Sequence, residues 1–222
     1  LDEMMAGMGG LETLAQLKNI NNAIPVVMIT KSEEETLMNE AIGGKISDYL
    51  TKPVNPSQVL LVCKKILEGK KISGQYAAKD YLQDFNQISQ ALSSGLDFTE
   101  WINIYQKLVN WSIELDKHRE IGLEQSLNDQ FKEANKEFSK FVERNYISWL
   151  NVNDKADAPN LSPQITEKYV LNHIRDEGKS IFYFVLDCLR LDQWLVMEKH
   201  LTDLFNIEKD YYYSILPTAT PY

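Results

Sequence analysis

Hydrophobic and polar positions follow two alternating periods over the first third of the chain. Leucines at every third position from Leu11 to Leu17 predict a helix, and the unbroken apolar run IPVVMIT at 24–30 is typical of a strand buried on both faces. Acidic residues after a Ser32 N-cap predict a second helix. The predicted order is helix, strand, helix, strand and helix, over residues 11–17, 24–30, 32–44, 47–53 and 55–71.

This alternation predicts a parallel β-sheet flanked by helices, and therefore an α/β domain. Two parallel strands bury too little apolar surface to be stable by themselves. We therefore expect the chain to be an internal fragment of a longer protein, with further strands of this domain before Leu1.

The pattern changes after about Gln75, where aromatic and aliphatic side chains recur at three- and four-residue steps as far as Leu150. SSGLD, residues 93–97, predicts a turn, and no proline interrupts residues 115–150. This region predicts a bundle or antiparallel hairpin of three or four helices. Because an aromatic stripe at helical spacing usually forms a core, we expect a spacer or a dimerisation arm rather than a ligand site.

The remainder of the chain predicts a linker followed by the beginning of a second α/β domain. NVNDKADAPNLSPQ, residues 151–164, is rich in Asn, Asp and Pro and has no apolar period. The pattern after it predicts a helix, the strand SIFYFVLD that ends at Asp187, another helix, and the strand DYYYSIL that breaks at Pro217.

Composition narrows the class of protein. Lys and Arg number 23 against 32 Asp and Glu, a net charge of −9, which argues against a general nucleic-acid or anionic-membrane binder. Two widely spaced cysteines, Cys63 and Cys188, argue against a disulfide framework and favour a reducing compartment. No apolar run reaches the roughly 18 residues of a membrane helix, and no basic recognition helix indicates a transcription factor. These features predict a soluble cytoplasmic protein.

Three residues suited to phosphate chemistry stand at the ends of apolar segments. Asp2 precedes a Gly-rich stretch, which is either the end of a helix or strand or a loop that exposes the carboxylate; Thr30 and Lys52 close the two predicted strands. Ligands of open parallel sheets bind outside these ends, so we expect the acid, the hydroxyl and the ammonium to converge. An aspartate can accept a phosphoryl group covalently, while a hydroxyl and an ammonium stabilise the phosphoryl oxygens.

The segment DEMMAGMGGL, together with Thr30 and Lys52, resembles the receiver domain of two-component response regulators. The resemblance implies a flavodoxin-like fold and a bound Mg²⁺, whose other two carboxylates belong to a strand before Leu1. Ala6 and Gly9 depart from the family pattern, which changes the stiffness of the loop rather than its chemistry. The implied roles are phosphoacceptor and magnesium ligand for Asp2, magnesium ligand through its backbone carbonyl for Met4, and phosphorylation switch for Thr30, Tyr49 and Lys52.

A second pair of oxygen-bearing residues lies near the end of the chain. Asp187 directly precedes a predicted helix, where it is either a metal ligand or an N-cap. Thr220 lies in the PTATPY turn, where it either caps the turn or carries out chemistry. If the two strands are parallel neighbours, a metal between the side chains would turn the Thr220 hydroxyl into a nucleophile for attack at phosphorus.

VLDCLRLDQW and LPTAT resemble the beginning of a PglZ domain, a member of the alkaline phosphatase superfamily. With a receiver and a helical segment before it, the chain is similar to PorX-type response regulators over essentially its whole length. The resemblance implies that Asp187 binds Zn²⁺ and that Thr220 is both zinc ligand and nucleophile, the other ligands lying beyond Tyr222. It divides the chain into the C-terminal part of a receiver domain, a helical bundle, a linker and the start of a PglZ domain, at residues 1–72, 73–150, 151–164 and 165–222.

The same resemblance implies a function. Aspartyl phosphorylation would control dimerisation and a zinc-dependent phosphodiesterase or phosphatase that acts on nucleotides or oligonucleotides, in the regulation of type IX secretion. The implied partners are a sensor histidine kinase, a second copy of the chain, and a sigma factor or another secretion regulator, with no membrane partner. Because the chain holds few zinc ligands, we expect this fragment itself to be inactive. The alternative is a non-catalytic signalling adaptor that switches partner binding on phosphorylation.

Overall fold

A computed structural model describes residues 1–31, 39, 41–43, 45–119, 122–151, 158–171, 174 and 181–218 of the chain. The chain separates into two compact units, Leu1–Ser73 and Gly74–Tyr222. Among the residues described, no helix combines the length and the apolar character needed to cross a membrane.

The first unit contains the predicted parallel sheet. Strand β1 (Val27–Thr30) pairs in parallel with β2 (Asp48–Thr51), in a register that sets Thr30 opposite Thr51. Asp2 forms a parallel bridge with the opposite edge of β1. The Asp2 segment, β1 and β2 therefore all run in the same direction. The alternation of helices and strands along the sequence predicts such a parallel arrangement.

Helix α1 (Gly10–Ile20) connects the Asp2 segment to β1, and it confirms the helix predicted from the leucine spacing. Its buried Leu14 contributes to the core of the unit together with Met28 of β1 and Leu50 of β2. Most of the second predicted helix, at 32–38, 40 and 44, lies outside the described residues, and residues 39 and 41–43 are helical.

Gly10 occupies a position where the chain after Asp2 passes very close to α1. A methyl group at Gly10 would lie 2.6 Å from the Asp2 carbonyl oxygen and 2.8 Å from the terminal carbon of Met28. Because one of these neighbours is backbone, the clash cannot be relieved by rotating a side chain. Gly10 therefore allows the loop that carries Asp2 to lie against the helix.

We expect Gly10→Ala to lower the free energy of unfolding by about 1–3 kcal/mol, the usual cost of forcing an extra carbon into a packed site. Gly69→Ala is the matched control, because Gly69 lies within a helix and has open space around it. The control should raise the stability by about 0.5–1 kcal/mol, since alanine is the better helix former. Urea unfolding of both variants measures the two effects, and equal stability of the two variants would contradict the close approach at Gly10.

Helix α2 (Pro56–Ser94) begins as predicted and ends much later than predicted. Its first turn is capped by Asn55, whose side-chain oxygen accepts from the Ser57 amide at 2.8 Å. The predicted end at the lysines of 70–71 is wrong, because the helix continues to Ser94 and the boundary between the two units lies inside it. Lysines are favoured near a helix end but do not interrupt the backbone hydrogen bonds.

The second unit is built on the predicted helical bundle. The later part of α2, helix α3 (Phe98–Asp116) and helix α4 (Glu124–Asn151) enclose an apolar core. The aromatic stripe read from the sequence lines this core, as expected. The buried members of the core are Tyr81, Ile88, Leu92, Trp101, Ile104, Leu108, Leu115, Leu127 and Ala134.

The turn predicted at 93–97 connects α2 to α3. Gly95 has a φ of 81°, in the left-handed region that favours glycine. The Asp97 carboxylate accepts from the amides of Thr99 and Glu100 at 2.7 and 2.8 Å. In return the Glu100 carboxylate accepts from the Asp97 amide at 2.8 Å, which completes a capping box.

The strand predicted at 180–187 is wrong for the residues that are described. Residues 181–186 form no strand, and Phe182, Phe184 and Val185 are 81, 80 and 74% exposed. A parallel strand buried on both faces needs a neighbour, and no segment in the described part of the chain pairs with this one. The composition of residues 181–186 favours a strand, but these residues have no pairing partner in the described part of the chain.

The strand predicted at 210–216 is also wrong, apart from a single parallel bridge between Tyr213 and Leu161. Residue 161 belongs to the predicted linker, yet Leu161 is buried, so the end of that segment is packed rather than free. Helix α5 (Ser162–Ile165) follows directly and continues as a wider, π-type helix over Thr166–Leu171, within the helix predicted there. Helix α6 (Leu191–Glu198) confirms the first part of the last predicted helix, which was expected to extend over 191–205.

Candidate functional site

The carboxylate of Asp2 and the ammonium of Lys52 form an ion pair at one edge of the sheet. Backbone hydrogen bonds hold their segments on either side of β1. The Ile29 amide donates to the Leu1 carbonyl at 2.6 Å, and the Lys52 amide donates to the Thr30 carbonyl at 2.8 Å. Because all these segments leave the sheet at the same end, their terminal side chains meet where ligands of parallel sheets bind.

The Asp2 carboxylate is ionised and accessible. One of its oxygens accepts from the Lys52 ammonium, and the other accepts from the Met4 amide at 3.2 Å. The hydrogen bond from Lys52 is the main cause that lowers the pKa of the Asp2 carboxyl below its ordinary value of 3.8, while burial acts in the opposite direction. About a third of the Asp2 side chain is exposed, 35%, so a phosphoryl donor can reach it. An ionised, accessible carboxylate is what nucleophilic attack requires.

We expect Lys52→Met to raise the pKa of Asp2 toward its ordinary value, because the charged donor is lost. Lys65→Met is the matched control: Lys65 pairs with Asp48 at 2.8 Å and in the same way lowers the pKa of that carboxyl. Each variant should therefore raise the pKa of its own partner only. Carbon-detected NMR titration of the two carboxyl groups measures this, and a rise at Asp2 in both variants would contradict the pairing.

The pairing also gives a sign for the pH dependence of stability. Since the folded-state pKa of Asp2 lies below its unfolded value of 3.8, the contribution of the ion pair is present above pH 3.8. It is lost as the pH falls through the lower, folded-state pKa. Lys52→Met should reduce the loss of stability over this acid range. It should leave the pH dependence of stability near neutral pH similar in shape.

Thr30 and Tyr49 border one small apolar recess next to the end of β1. Thr30 is the last residue of β1, and Tyr49 lies on β2 opposite Met28, with 37% of its surface exposed. Thr30 and Tyr49, the predicted hydroxyl and aromatic residues, therefore line the same recess. The rest of its lining is formed by Glu3, Leu11, Met28, Ala41 and Ile46.

Glu3 has a structural role that the sequence did not reveal. The N-cap position of α1 is Gly9, which has no side chain, and the Glu3 carboxylate accepts instead from the Leu11 amide at 3.1 Å. The Glu3 carbonyl also accepts from the Gly10 amide at 3.2 Å. Because a carboxylate at a helix N-terminus is stabilising, Glu3 fixes the loop that carries Asp2. An acidic residue seven positions before a helix is not a recognised capping signal.

The oxygen atoms around Asp2 fit part of a magnesium site. Mg²⁺ prefers carboxylate, carbonyl and water oxygens, and the predicted ligands, the Asp2 carboxylate and the Met4 carbonyl, are of the first two kinds. Among the residues described, no group of three or more His, Cys, Asp or Glu side chains is close enough together to hold a metal ion. The roles of Asp2 and Met4 as magnesium ligands stay predictions.

Asp187 lies in a turn of the second unit rather than at the end of a strand. Its carboxylate accepts from the Cys188 amide at 2.9 Å, and Cys188 has a φ of 57°, which is unusual for a residue other than glycine. Arg190 donates to both carboxylate oxygens of Asp192, at 2.9 and 2.6 Å, and this lowers the pKa of Asp192. Thr220 lies outside the described residues, so its meeting with Asp187 stays a prediction.

Comparison with known families matches two parts of the chain. Residues 1–64 match the response regulator receiver domain, which contains Asp2, Thr30, Tyr49 and Lys52. Residues 71–150 match the PorX response regulator linker domain, which corresponds to the helical bundle. Residues 151–222 lie outside both matched ranges.

Curated relatives match shorter stretches. The cyclic di-GMP phosphodiesterase response regulator RpfG of Xanthomonas campestris pv. campestris is 31% identical over 70 residues. The transcriptional regulatory proteins ResD of Bacillus subtilis and ZraR of Klebsiella oxytoca are 34% identical over 67 and 33% identical over 72 residues. The matches cover 31, 30 and 32% of this chain but only 18, 28 and 16% of the relatives, so the chain spans less than a third of their length.

The parallel sheet and the receiver match together identify residues 1–64 as part of a response regulator receiver domain, with a helical segment after it. The match of that helical segment to the PorX response regulator linker domain supports a response regulator of the PorX type. A receiver domain implies a sensor kinase as partner, and receiver domains typically bind Mg²⁺.

Proposed function

We propose that Asp2 accepts a phosphoryl group from a sensor histidine kinase and that Thr30, Tyr49 and Lys52 relay the change. The contact between Asp2 and Lys52 at the carboxyl edge of the sheet carries this proposal. In the transfer, an Asp2 carboxylate oxygen forms a bond to phosphorus while the phosphorus–nitrogen bond to the kinase histidine breaks. Lys52 then pairs with a phosphoryl oxygen, and the Thr30 hydroxyl donates to another.

Tyr49 is the proposed readout of this change. Its ring is partly exposed and borders the recess that Thr30 also borders. Movement of Thr30 toward the phosphoryl group would enlarge the recess and favour burial of the ring there. The bound Mg²⁺ would be held by the Asp2 carboxylate and the Met4 carbonyl, and it would neutralise charge on the phosphoryl group.

Phosphorylation is proposed to favour a homodimer through α2. Leu60 and Leu67, which lie seven residues apart on one face of the helix, are 69 and 80% exposed.

Acetyl phosphate should shift the wild-type protein from monomer to dimer in sedimentation velocity. Replacing both leucines by serine should weaken the dimer at least about tenfold, because each leucine buried in an interface contributes roughly 1.5–3 kcal/mol. Leu82→Ser, on the same helix and about half exposed, is the control. Equal dimerisation of the two variants would contradict the proposed interface.

The output is proposed to be a zinc-dependent phosphodiesterase or phosphatase of the PglZ type, acting on nucleotides or oligonucleotides. The motif VLDCLRLDQW and the PTAT turn support this reading, with Asp187 as a zinc ligand and Thr220 as zinc ligand and nucleophile. A relative named as a phosphodiesterase response regulator, RpfG, is a precedent for joining a receiver to phosphodiester hydrolysis. Zinc takes four ligands, and the described residues alone do not form such a set.

The second candidate is a signalling adaptor that switches partner binding without hydrolysis, and the exposed Leu60 and Leu67 of α2, which offer an apolar surface for a partner, favour it. In either case we propose that the protein is cytoplasmic and regulates secretion, and that its partner is a sigma factor or another secretion regulator. We also propose that its domains have the limits 1–72, 73–150, 151–164 and 165–222. Zinc content and hydrolysis of a model phosphodiester by the full-length protein separate the two candidates. A zinc-free protein without activity supports the adaptor.

A further inference from the structure

A cavity of about 340 Å³ lies between α3, α4 and residues 211–214. Trp101 and Tyr105 of α3 and Phe131 and Phe138 of α4 give aromatic rings to its walls. The volume falls within the range of small-molecule sites, which are lined mainly by apolar and aromatic side chains. The aromatic stripe of the sequence therefore borders an open space as well as filling the core of the bundle.

The third wall of this cavity, residues 211–214, is joined to both helices. The ring centroid of Tyr213 lies 6.1 Å from that of Phe138 on α4, and its hydroxyl donates to the Phe98 carbonyl of α3 at 2.7 Å. The Tyr213 amide donates to the Asn160 carbonyl at 2.9 Å. Because side-chain and backbone bonds both hold this wall, the cavity is a feature of the packed unit.

Trp101 brings an unused hydrogen-bond donor to the lining of the cavity. Its side chain is buried, with 6% of the residue exposed, and its indole N–H has no partner among the described residues. The indole N–H of Trp111, on the same helix, instead donates to Asp84 at 2.9 Å. A buried donor without a partner is costly, and the acceptor atom of a ligand would remove that cost.

The lining of the cavity carries no charge. Among the described residues that form it, none is Asp, Glu, Lys, Arg or His. A charged ligand would lose its hydration there without gaining an ion pair, which is strongly unfavourable. The cavity therefore selects neutral ligands.

We propose that this cavity binds a small neutral aromatic molecule that carries an acceptor oxygen. The rings of the ligand pack against those of Trp101, Tyr105 and Phe138, and its oxygen accepts from the Trp101 indole N–H. Since residues 211–214 form one wall, the bound molecule also stabilises the packing of this segment on the bundle. The site requires neither phosphoryl transfer to Asp2 nor hydrolysis.

Two ligands of nearly the same shape test the proposal on the full-length protein. 2-Acetylnaphthalene is neutral and carries a carbonyl oxygen, whereas 2-naphthoate is an anion at neutral pH. We expect 2-acetylnaphthalene to shift the indole N–H resonance of Trp101 saturably in proton–nitrogen NMR and to leave that of Trp111 in place. 2-Naphthoate should bind at least about tenfold more weakly, because its charge has no partner in the cavity. No saturable shift at Trp101, or equal binding of the two compounds, would overturn the proposal.

A tryptophan substitution tests the hydrogen bond to the ligand. Trp101→Phe keeps an aromatic ring and removes the donor, so it should weaken binding of 2-acetylnaphthalene about threefold to tenfold. Trp111→Phe is the matched control and should leave the affinity unchanged, because Trp111 does not line the cavity. Equal affinities of the wild type and Trp101→Phe would overturn the assigned donor, and with it the class of ligand.

A larger side chain tests the location of the site. Ala134 lines the cavity and is 6% exposed, so Ala134→Leu should fill part of the space and abolish binding of 2-acetylnaphthalene. Retained binding would place the ligand on another apolar surface and overturn the site. Circular dichroism reports whether Ala134→Leu keeps its helix content; if it does not, the comparison of Trp101→Phe with the wild type decides.

Amide exchange tests the wall formed by residues 211–214. With 2-acetylnaphthalene at about ten times its Kd, exchange of the Tyr213 amide should be about tenfold slower, because opening of this segment releases the ligand. 2-Naphthoate at the same concentration should leave the exchange rate unchanged. An unchanged rate with the neutral ligand bound would show that residues 211–214 do not enclose it, and would overturn this cavity as the binding site.

Discussion

Asp2→Asn should reduce labelling of the full-length protein by radioactive acetyl phosphate to background. The carboxylate oxygen is the atom that forms the bond to phosphorus while acetate leaves, and an amide oxygen is too weak a nucleophile to replace it. The loss should be complete rather than partial, because Asp2 is the one residue proposed to accept the phosphoryl group. Labelling is measured in the presence of Mg²⁺, with the acid-stable and base-labile fractions separated to identify an acyl phosphate.

Two neighbouring acids serve as controls for this experiment. Glu3 accepts from the Leu11 amide, and a glutamine keeps an oxygen for that bond, so Glu3→Gln should be labelled like the wild type. Asp48 pairs with Lys65 near the start of β2, away from the end that carries Lys52, so Asp48→Asn should also retain the label. Label that survives Asp2→Asn but disappears in either control would move the acceptor to that residue.

The sequence predicted those features that depend on local chemistry. Gly95 lies in the turn that was predicted at 93–97, and the structure has this turn; Asp97 in addition caps α3, which the sequence analysis did not predict. The parallel pairing of β1 and β2 follows from two apolar runs separated by a helical pattern, a connection that only parallel strands require. The meeting of Asp2 with Lys52 then follows from the common direction of the strands.

The features that were missed depend on contacts between distant parts of the chain. The run at 181–186 has the composition of a strand, but a strand forms only with a pairing partner, which composition does not reveal. The sequence YYY at 211–213 also predicted a strand. In the structure, the ring of Tyr213 packs against aromatic residues of α4, and its hydroxyl donates to the carbonyl of Phe98 of α3, 115 positions earlier. The Glu3 cap of α1 was missed for another reason: Glu3 is only eight residues before Leu11, but it lies outside the positions of the known capping signals.

Thr220→Ala should lower hydrolysis of bis(p-nitrophenyl) phosphate by the full-length protein by at least about a thousandfold, as loss of a covalent nucleophile commonly does. In the proposed reaction the Thr220 oxygen bonds to phosphorus and p-nitrophenolate leaves. Water then attacks the same phosphorus and breaks the bond to Thr220, which restores the hydroxyl. The yellow product of the first step is followed by absorbance, and a burst at high enzyme concentration would reveal the covalent intermediate.

Thr218→Ala is the matched control, since it removes the other hydroxyl of the same turn. Thr218 is exposed, and we expect its loss to change kcat by no more than a few-fold. A thousandfold loss in Thr218→Ala with normal rates in Thr220→Ala would move the nucleophile two residues along the chain. Equal rates in the wild type and in both variants would show that neither hydroxyl of the turn is the nucleophile. The proposed hydrolase would then give way to the adaptor, in which phosphorylation controls partner binding.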